Sequence, residues 1–186
     1  MMTLTTDKTV FSFGKYILTE KNWTGIFADD NLLWIQGVYS DQMGKMDTKL
    51  GVAIFNMNYL ENSVPNRMVS LVTLLLSNQL GSLGIEYTSS DKDVENKSIV
   101  TFVSGRIKSV DMSLGYFHAE RNSTLDPDFS RSDFIEPIGF YGYNFIAKFK
   151  LYNNISSDFK IFRQIMAHDG AEVTRFQFNF NFAFRK

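Results

Sequence analysis

The 186-residue sequence predicts an all-β protein, an antiparallel up-and-down transmembrane β-barrel of about ten strands, complete in itself or part of a larger barrel. Three observations carry that expectation. From Arg175 to Phe184 the chain alternates a polar or small residue with Phe, which is the period of a strand, over the 9 to 11 residues that a tilted membrane strand needs. Phe occurs 18 times and Tyr 8 times against 3 Pro, a composition suited to pleated, half-buried surfaces. The connections between apolar-alternating segments also differ in length in a way that separates two ends of a barrel.

Taken in order, strands are predicted over Thr9–Ile17, Leu32–Ser40, Lys49–Met57 and Arg67–Ser77. In the next segment Leu83, Ile85 and Tyr87 alternate with Ser82, Gly84, Glu86 and Thr88. Ser98–Ile107 follows, and then Val110, Met112, Leu114 and Tyr116 alternate with Asp111, Ser113 and Gly115. In Phe140–Leu151 one face reads Tyr141, Tyr143, Phe145, Ala147, Phe149, Leu151, with Ile146 as the one lapse among Gly142, Asn144, Lys148 and Lys150 opposite. Ile155–Met166 begins with the same alternation and loses it around Phe162-Arg163, where a bulge or a crossing of the membrane interface would account for the change. Gln79-Leu80, Lys108-Ser109 and Tyr152–Asn154 are short connections, while Ser89–Lys97 and Arg121–Pro137 are long and charged. No segment carries a helical period with caps, and no linker divides the chain, so residues 1–186 form a single β-barrel domain.

Composition removes several function classes. A net charge of −1 offers no footprint for a phosphate backbone, so no nucleic-acid partner is expected. With 0 Cys there is no disulfide framework, thiolate metal site or thiol catalysis. The longest apolar run, Val69–Leu76, is interrupted by Thr73 and far too short for a spanning helix, so a membrane could be crossed only by strands. The opening Met1-Met2-Thr3-Leu4-Thr5-Thr6-Asp7-Lys8 lacks the basic and apolar regions of a signal peptide, which an exported barrel needs, so either the chain is the later portion of a longer precursor or it is not exported.

The motifs for chemistry are weak. His118 and His168 lack any metalloprotease-type spacing, and rim positions are expected for both. Asp126-x-Asp128-x-Ser130 with Asp133 resembles a calcium loop, but Arg131 stands where such a loop needs Gly and Pro137 where it needs Glu. No Ser lies in Gly-x-Ser-x-Gly and no phosphate-cradling Gly-rich run occurs. The expectation is a protein that is not an enzyme and uses no cofactor and no metal.

Alternation alone fits either a membrane barrel with the Phe faces turned to lipid or a soluble β-barrel binding a small apolar ligand inside. Same-face Phe residues of nearly one size would pack a narrow soluble interior poorly, whereas lipid imposes no jigsaw constraint. A second indication starts at Phe13-Gly14-Lys15, a following loop with Trp23, and Asp29-Asp30-Asn31 ahead of Gly37-Val38. It continues at Leu114-Gly115-Tyr116-Phe117-His118-Ala119-Glu120-Arg121, Arg131-Ser132-Asp133-Phe134, and the Gly139–Tyr143 strand opening. In this order the chain resembles a porin family of Gram-negative outer-membrane β-barrels, in which a strand ending in Gly and a basic residue precedes a loop folded toward the pore. It departs from that family in lacking the prolines of the pore loop and in ending Phe184-Arg185-Lys186 instead of on an aromatic residue. The resemblance implies the C-terminal portion of a porin in the bacterial outer membrane, with the lipid bilayer as partner, small hydrophilic solutes or ions passing by passive diffusion, and a homotrimer as assembly. The expected pore-lining residues are Asn144, Lys148, Lys150, Arg175, Gln177, Asn179 and Asn181, with Asp29, Asp30 and Asn31 at a constriction; their mixed signs predict weak selectivity.

Overall fold

The computed structural model of the protein describes residues 1–18, 30–58, 67–120, 123, 139–152 and 155–182. Eleven strands run through them: β1 (Met2–Thr5), β2 (Thr9–Leu18), β3 (Asp30–Met43), β4 (Met46–Asn58), β5 (Arg67–Ser77), β6 (Gly81–Ser90), β7 (Lys97–Ile107), β8 (Val110–Ala119), β9 (Phe140–Tyr152), β10 (Ile155–Met166) and β11 (Glu172–Phe182). Each pairs antiparallel with the next, so the strands form one up-and-down sheet in the order β1 to β11. The ten expected strands are all present. The eleventh, β1, lies before the first of them, where Met2-Thr3-Leu4-Thr5 is too short to display a period. The sheet is not closed: β1 and β11 are its edges and do not pair with each other.

Hairpin geometry explains the register. Gly44, at φ +67°, turns the chain between Met43 and Met46, and Lys108, at φ +55°, does so between Ile107 and Val110. At the β5–β6 turn the Asn78 side-chain oxygen accepts hydrogen bonds from the Leu80 and Gly81 amides. Residues 6–8, 44–45, 78–80, 108–109 and 153–154 connect strands at one rim; 19–29, 59–66, 91–96, 120–139 and 167–171 connect them at the other. Every short connection is thus at one end, as the sequence predicts, and β11 runs toward that end.

Of the two accounts of the β10 pattern, the bulge is corrected. The register of β10 against β9 and β11 runs unbroken through Phe162 and Arg163, and the irregularity lies at Ile155/Ser156. The apparent loss of alternation has a packing cause. Phe162 belongs to the face of Asn144 and Arg175, where it is buried with the Arg175 guanidinium 4.8 Å above its ring. Arg163 belongs to the opposite face and pairs with Glu172 at 2.7 Å. An apolar and a charged residue have exchanged their usual sides without a change of backbone.

Side chains on one face shield one another and those on the other stand exposed. Phe117, Phe140 and Met166 form a buried cluster with Val100 and Ala119 packed against it, all near the long-connection rim. Bulk is fitted in by glycine on the neighbouring strands: Phe102 lies across Gly84, its register partner on β6, where a Cβ would collide with its ring, and the Asn144 amide lies over Gly115 on β8.

Candidate functional site

Register assigns each side chain to one of two faces, and the two differ chemically. On the first, β11 presents Phe176, Phe178, Phe180 and Phe182, which are 56–67% exposed. These four rings alone expose on the order of 500 Å² of apolar surface, already more than the patches of a few hundred Å² that soluble monomers tolerate. Neighbouring strands continue the face with Phe159 and Ile161; Phe145 and Phe149; Leu114; Val103 and Ile107; Leu83 and Ile85; Val72; Leu50, Val52 and Ile54; Leu33 and Ile35; and Phe11 and Phe13. The face is apolar across every strand.

Its polar residues are graded by height. Tyr87, Tyr116, Tyr141 and Tyr143 lie toward the long-connection rim, where Tyr116 and Tyr143 have ring centroids 5.3 Å apart. Tyr39 and Tyr152 stand exposed toward the other rim. Among the described residues the charged side chains of this face also sit at its ends: Lys15, Lys97, Arg163 and Glu172 at one, Asp41 at the other. Asp41 Oδ1 accepts from Lys8 Nζ at 2.8 Å, a contact that raises the Lys8 ammonium above the usual lysine range. From Tyr143 to Tyr152 is nine residues of β9; at ~3.3 Å each and a ~40° tilt, the uncharged band is about 23 Å tall.

The second face is polar over much of its area. Arg106, Asp111, Lys148, Asp158 and Asn179 are successive register partners on β7, β8, β9, β10 and β11, so they form a transverse row of alternating charge. Arg106 donates to Asp111 through Nε at 2.6 Å and Nη2 at 2.9 Å. Asp158 accepts from Asn179 Nδ2 at 2.6 Å and from Asn181 Nδ2 at 3.2 Å, while Gln177 Nε2 donates to Asn179 Oδ1 at 3.0 Å. Ser82 and Ser104 share a hydrogen bond of 2.6 Å and help to line a cleft of about 500 Å³ with Arg106, Asp111, Ser113 and Lys148.

Toward the long-connection rim this face is covered. Thr88 Oγ1 and Ser98 Oγ share a buried 2.6 Å hydrogen bond, and Thr88 also donates to the Ser123 carbonyl at 3.2 Å. Ser123, fully buried, donates through Oγ to the Glu120 carbonyl at 2.7 Å. Ser123 therefore lies against the polar face of β6 at Thr88.

Of the residues expected to line a pore, Asn144, Lys148, Lys150, Arg175, Gln177, Asn179 and Asn181 all fall on the polar face. Asp29 lies outside the described residues, as do the side chains of Asp30 and Asn31, whose backbones pair with Leu18 and Ile17 on β2. The calcium-like segment at 126–133 also lies outside them. His118 ends β8 on the apolar face beside Tyr141, and His168 sits in the β10–β11 turn 3.2 Å from Asp169. Among the described residues there is no group of three or more metal-ligating side chains.

Sequence reasoning passed over Arg106, Asp111, Asp158 and Lys160, each on the polar face. The signal was there in period 2, since each alternates with an outward apolar neighbour. Counted over the described side chains, this face carries Lys49, Arg67, Arg106, Lys148, Lys150, Lys160 and Arg175 against Asp47, Glu86, Asp111 and Asp158. Among those side chains it is cationic by three charges, in a chain whose net charge is −1.

No protein-family model, curated protein or solved structure matches the chain.

Proposed function

We propose that the chain is a porin-like barrel, or a part of one, in the bacterial outer membrane, and that it passes small hydrophilic solutes by diffusion along its polar face without chemistry. One observation carries this: an exposed apolar face, about 23 Å tall between tyrosine belts and charged only at its ends, backs a face crossed by a row of charged and amide side chains. Outer-membrane barrels have an apolar band of about 25 Å flanked by aromatic girdles, a polar interior, short turns at one rim and long loops at the other. Water would penalise the same apolar surface heavily, at roughly 25 cal/mol per Å².

A bilayer adds a requirement. Unpaired backbone groups cost several kcal/mol each in hydrocarbon, so the edges β1 and β11 must find strand partners in the inserted state. The test is refolding into detergent micelles or vesicles and into plain buffer, followed by circular dichroism and heat-modifiable migration on a gel. A β-rich, heat-modifiable species formed only with detergent or lipid, and stepwise conductance in planar bilayers, are expected. A detergent-independent monomer with sharp thermal unfolding in buffer would overturn the proposal.

A further inference from the structure

We infer that the polar face selects small anions, and that Lys148 and Lys150 on β9 set the preference. The inference rests on the pore proposed above and adds the class of solute. Five cationic residues lie on this face of β7 to β11, and the two acids among them are already engaged. Both contacts from Arg106 go to Asp111, and the two Asp158 oxygens accept from the Asn179 and Asn181 amides. Lys148 lies between those two acids in the register, and Lys150 is one step nearer the short-turn rim, opposite Ser156. Neither lysine makes an ion pair among the described residues. Arg106 offsets the charge of Asp111, the Asn179 and Asn181 amides hold Asp158 in place without neutralising it, and Lys148, Lys150, Lys160 and Arg175 still exceed Asp158 by three charges on this part of the face.

The physical consequence is an excess of anions over cations beside β9. A positive potential of about one kT raises the local concentration of a monovalent anion about threefold and lowers that of the cation by the same factor. Screening weakens the effect as ionic strength rises, because the Debye length falls from ~10 Å at 0.1 M to ~3 Å at 1 M. The mixed signs read from the sequence predict weak selectivity; what shifts the balance is the excess of cationic over acidic side chains that the register gathers on this face.

The experiment is the reversal potential of the protein reconstituted in planar neutral-lipid bilayers under a KCl gradient. A chloride-over-potassium permeability ratio of about three or more in dilute KCl, shrinking toward one as salt is raised, is expected. Lys148→Glu with Lys150→Glu should reverse the sign of the potential, and Lys148→Gln with Lys150→Gln should bring it near zero. The glutamine pair removes the charge while keeping a polar, unbranched side chain, and serves if the glutamate pair does not insert. Conductance with a ratio near one or favouring potassium, or a ratio unmoved by both double variants, overturns the anion preference and leaves the pore standing. Absence of conductance with the protein correctly inserted overturns the pore and the preference together.

Discussion

Replacing Phe178 by Arg separates a lipid-facing ring from a water-facing one. Phe178 is opposite Phe159, which is opposite Ala147, and Ala147 lies four residues from Tyr143 and five from Tyr152. The row through Phe178 therefore passes near the middle of the apolar band. Two strands of ~4.8 Å spacing, tilted by ~40°, displace Phe178 by about 6 Å along the barrel axis from Ala147, still well inside a half-height of about 12 Å. Arg costs about 2–4 kcal/mol at a bilayer midplane and about 0–1 near the interfaces, so a loss of ~2 kcal/mol is expected here. Loss of the edge-to-face contact with Phe180, at 4.9 Å, adds ~0.5–1.5 kcal/mol. Asn179→Arg, one residue along, places the same charge on the polar face beside Asp158, and should cost under ~1 kcal/mol. The assay is reversible urea unfolding in vesicles followed by tryptophan fluorescence, for the parent and each variant. Equal losses at the two positions would refute the assignment of faces, and a Phe178→Arg protein as stable in vesicles as its parent would refute the lipid environment.

Three further outcomes follow from particular contacts. Gly84→Val drives a branched side chain into Phe102 and should destabilise by about 1–3 kcal/mol; Phe102→Ala in the same chain should recover part of that loss, measured as unfolding midpoints in detergent. Thr88→Val removes the hydroxyl that ties Ser98 to the Ser123 carbonyl, at a cost of about 1–2 kcal/mol, and should speed protease cleavage after β8; an unchanged cleavage rate would separate the cover from Thr88. Lys108→Gly relieves a left-handed backbone at the β7–β8 turn and should stabilise by up to about 1 kcal/mol, read from the same unfolding curves.

Much of the fold was legible because period 2 is a local property. Phe176 to Phe182 sort themselves from Arg175 to Asn181 without knowledge of any partner strand, and the same holds for Tyr141 to Phe149. Phe162 and Arg163 misled because a hydropathy pattern records what a side chain is and not what it touches; an inward Phe under a guanidinium and an outward Arg held by Glu172 satisfy the pleat equally well. The row from Arg106 to Asn179 was beyond reach for a different reason. It is made by register between five strands, and the offset between neighbouring strands is fixed by hairpin turns whose conformation depends on single residues such as Lys108. The seven polar-face residues expected to line a pore were readable one at a time; the contacts that hold the acids beside them were not.

Strand direction constrains how the edges could be joined. Eleven strands that reverse at every turn leave β1 and β11 pointing the same way, so a direct junction between them would be parallel, whereas β2 and β11 point in opposite directions. β2 and β11 are also of similar length, at 10 and 11 residues, while β1 has 4 and all of them are exposed. An antiparallel junction with an even number of strands therefore needs β1 to give up the edge of β2, or another strand to stand beside it. Either way the demand comes from the solvent: water satisfies the outer N–H and C=O groups of β11, and hydrocarbon does not. On the proposed membrane reading the sheet stays open in water and is driven to pair its edges in hydrocarbon, so that insertion and edge pairing would be parts of one transition.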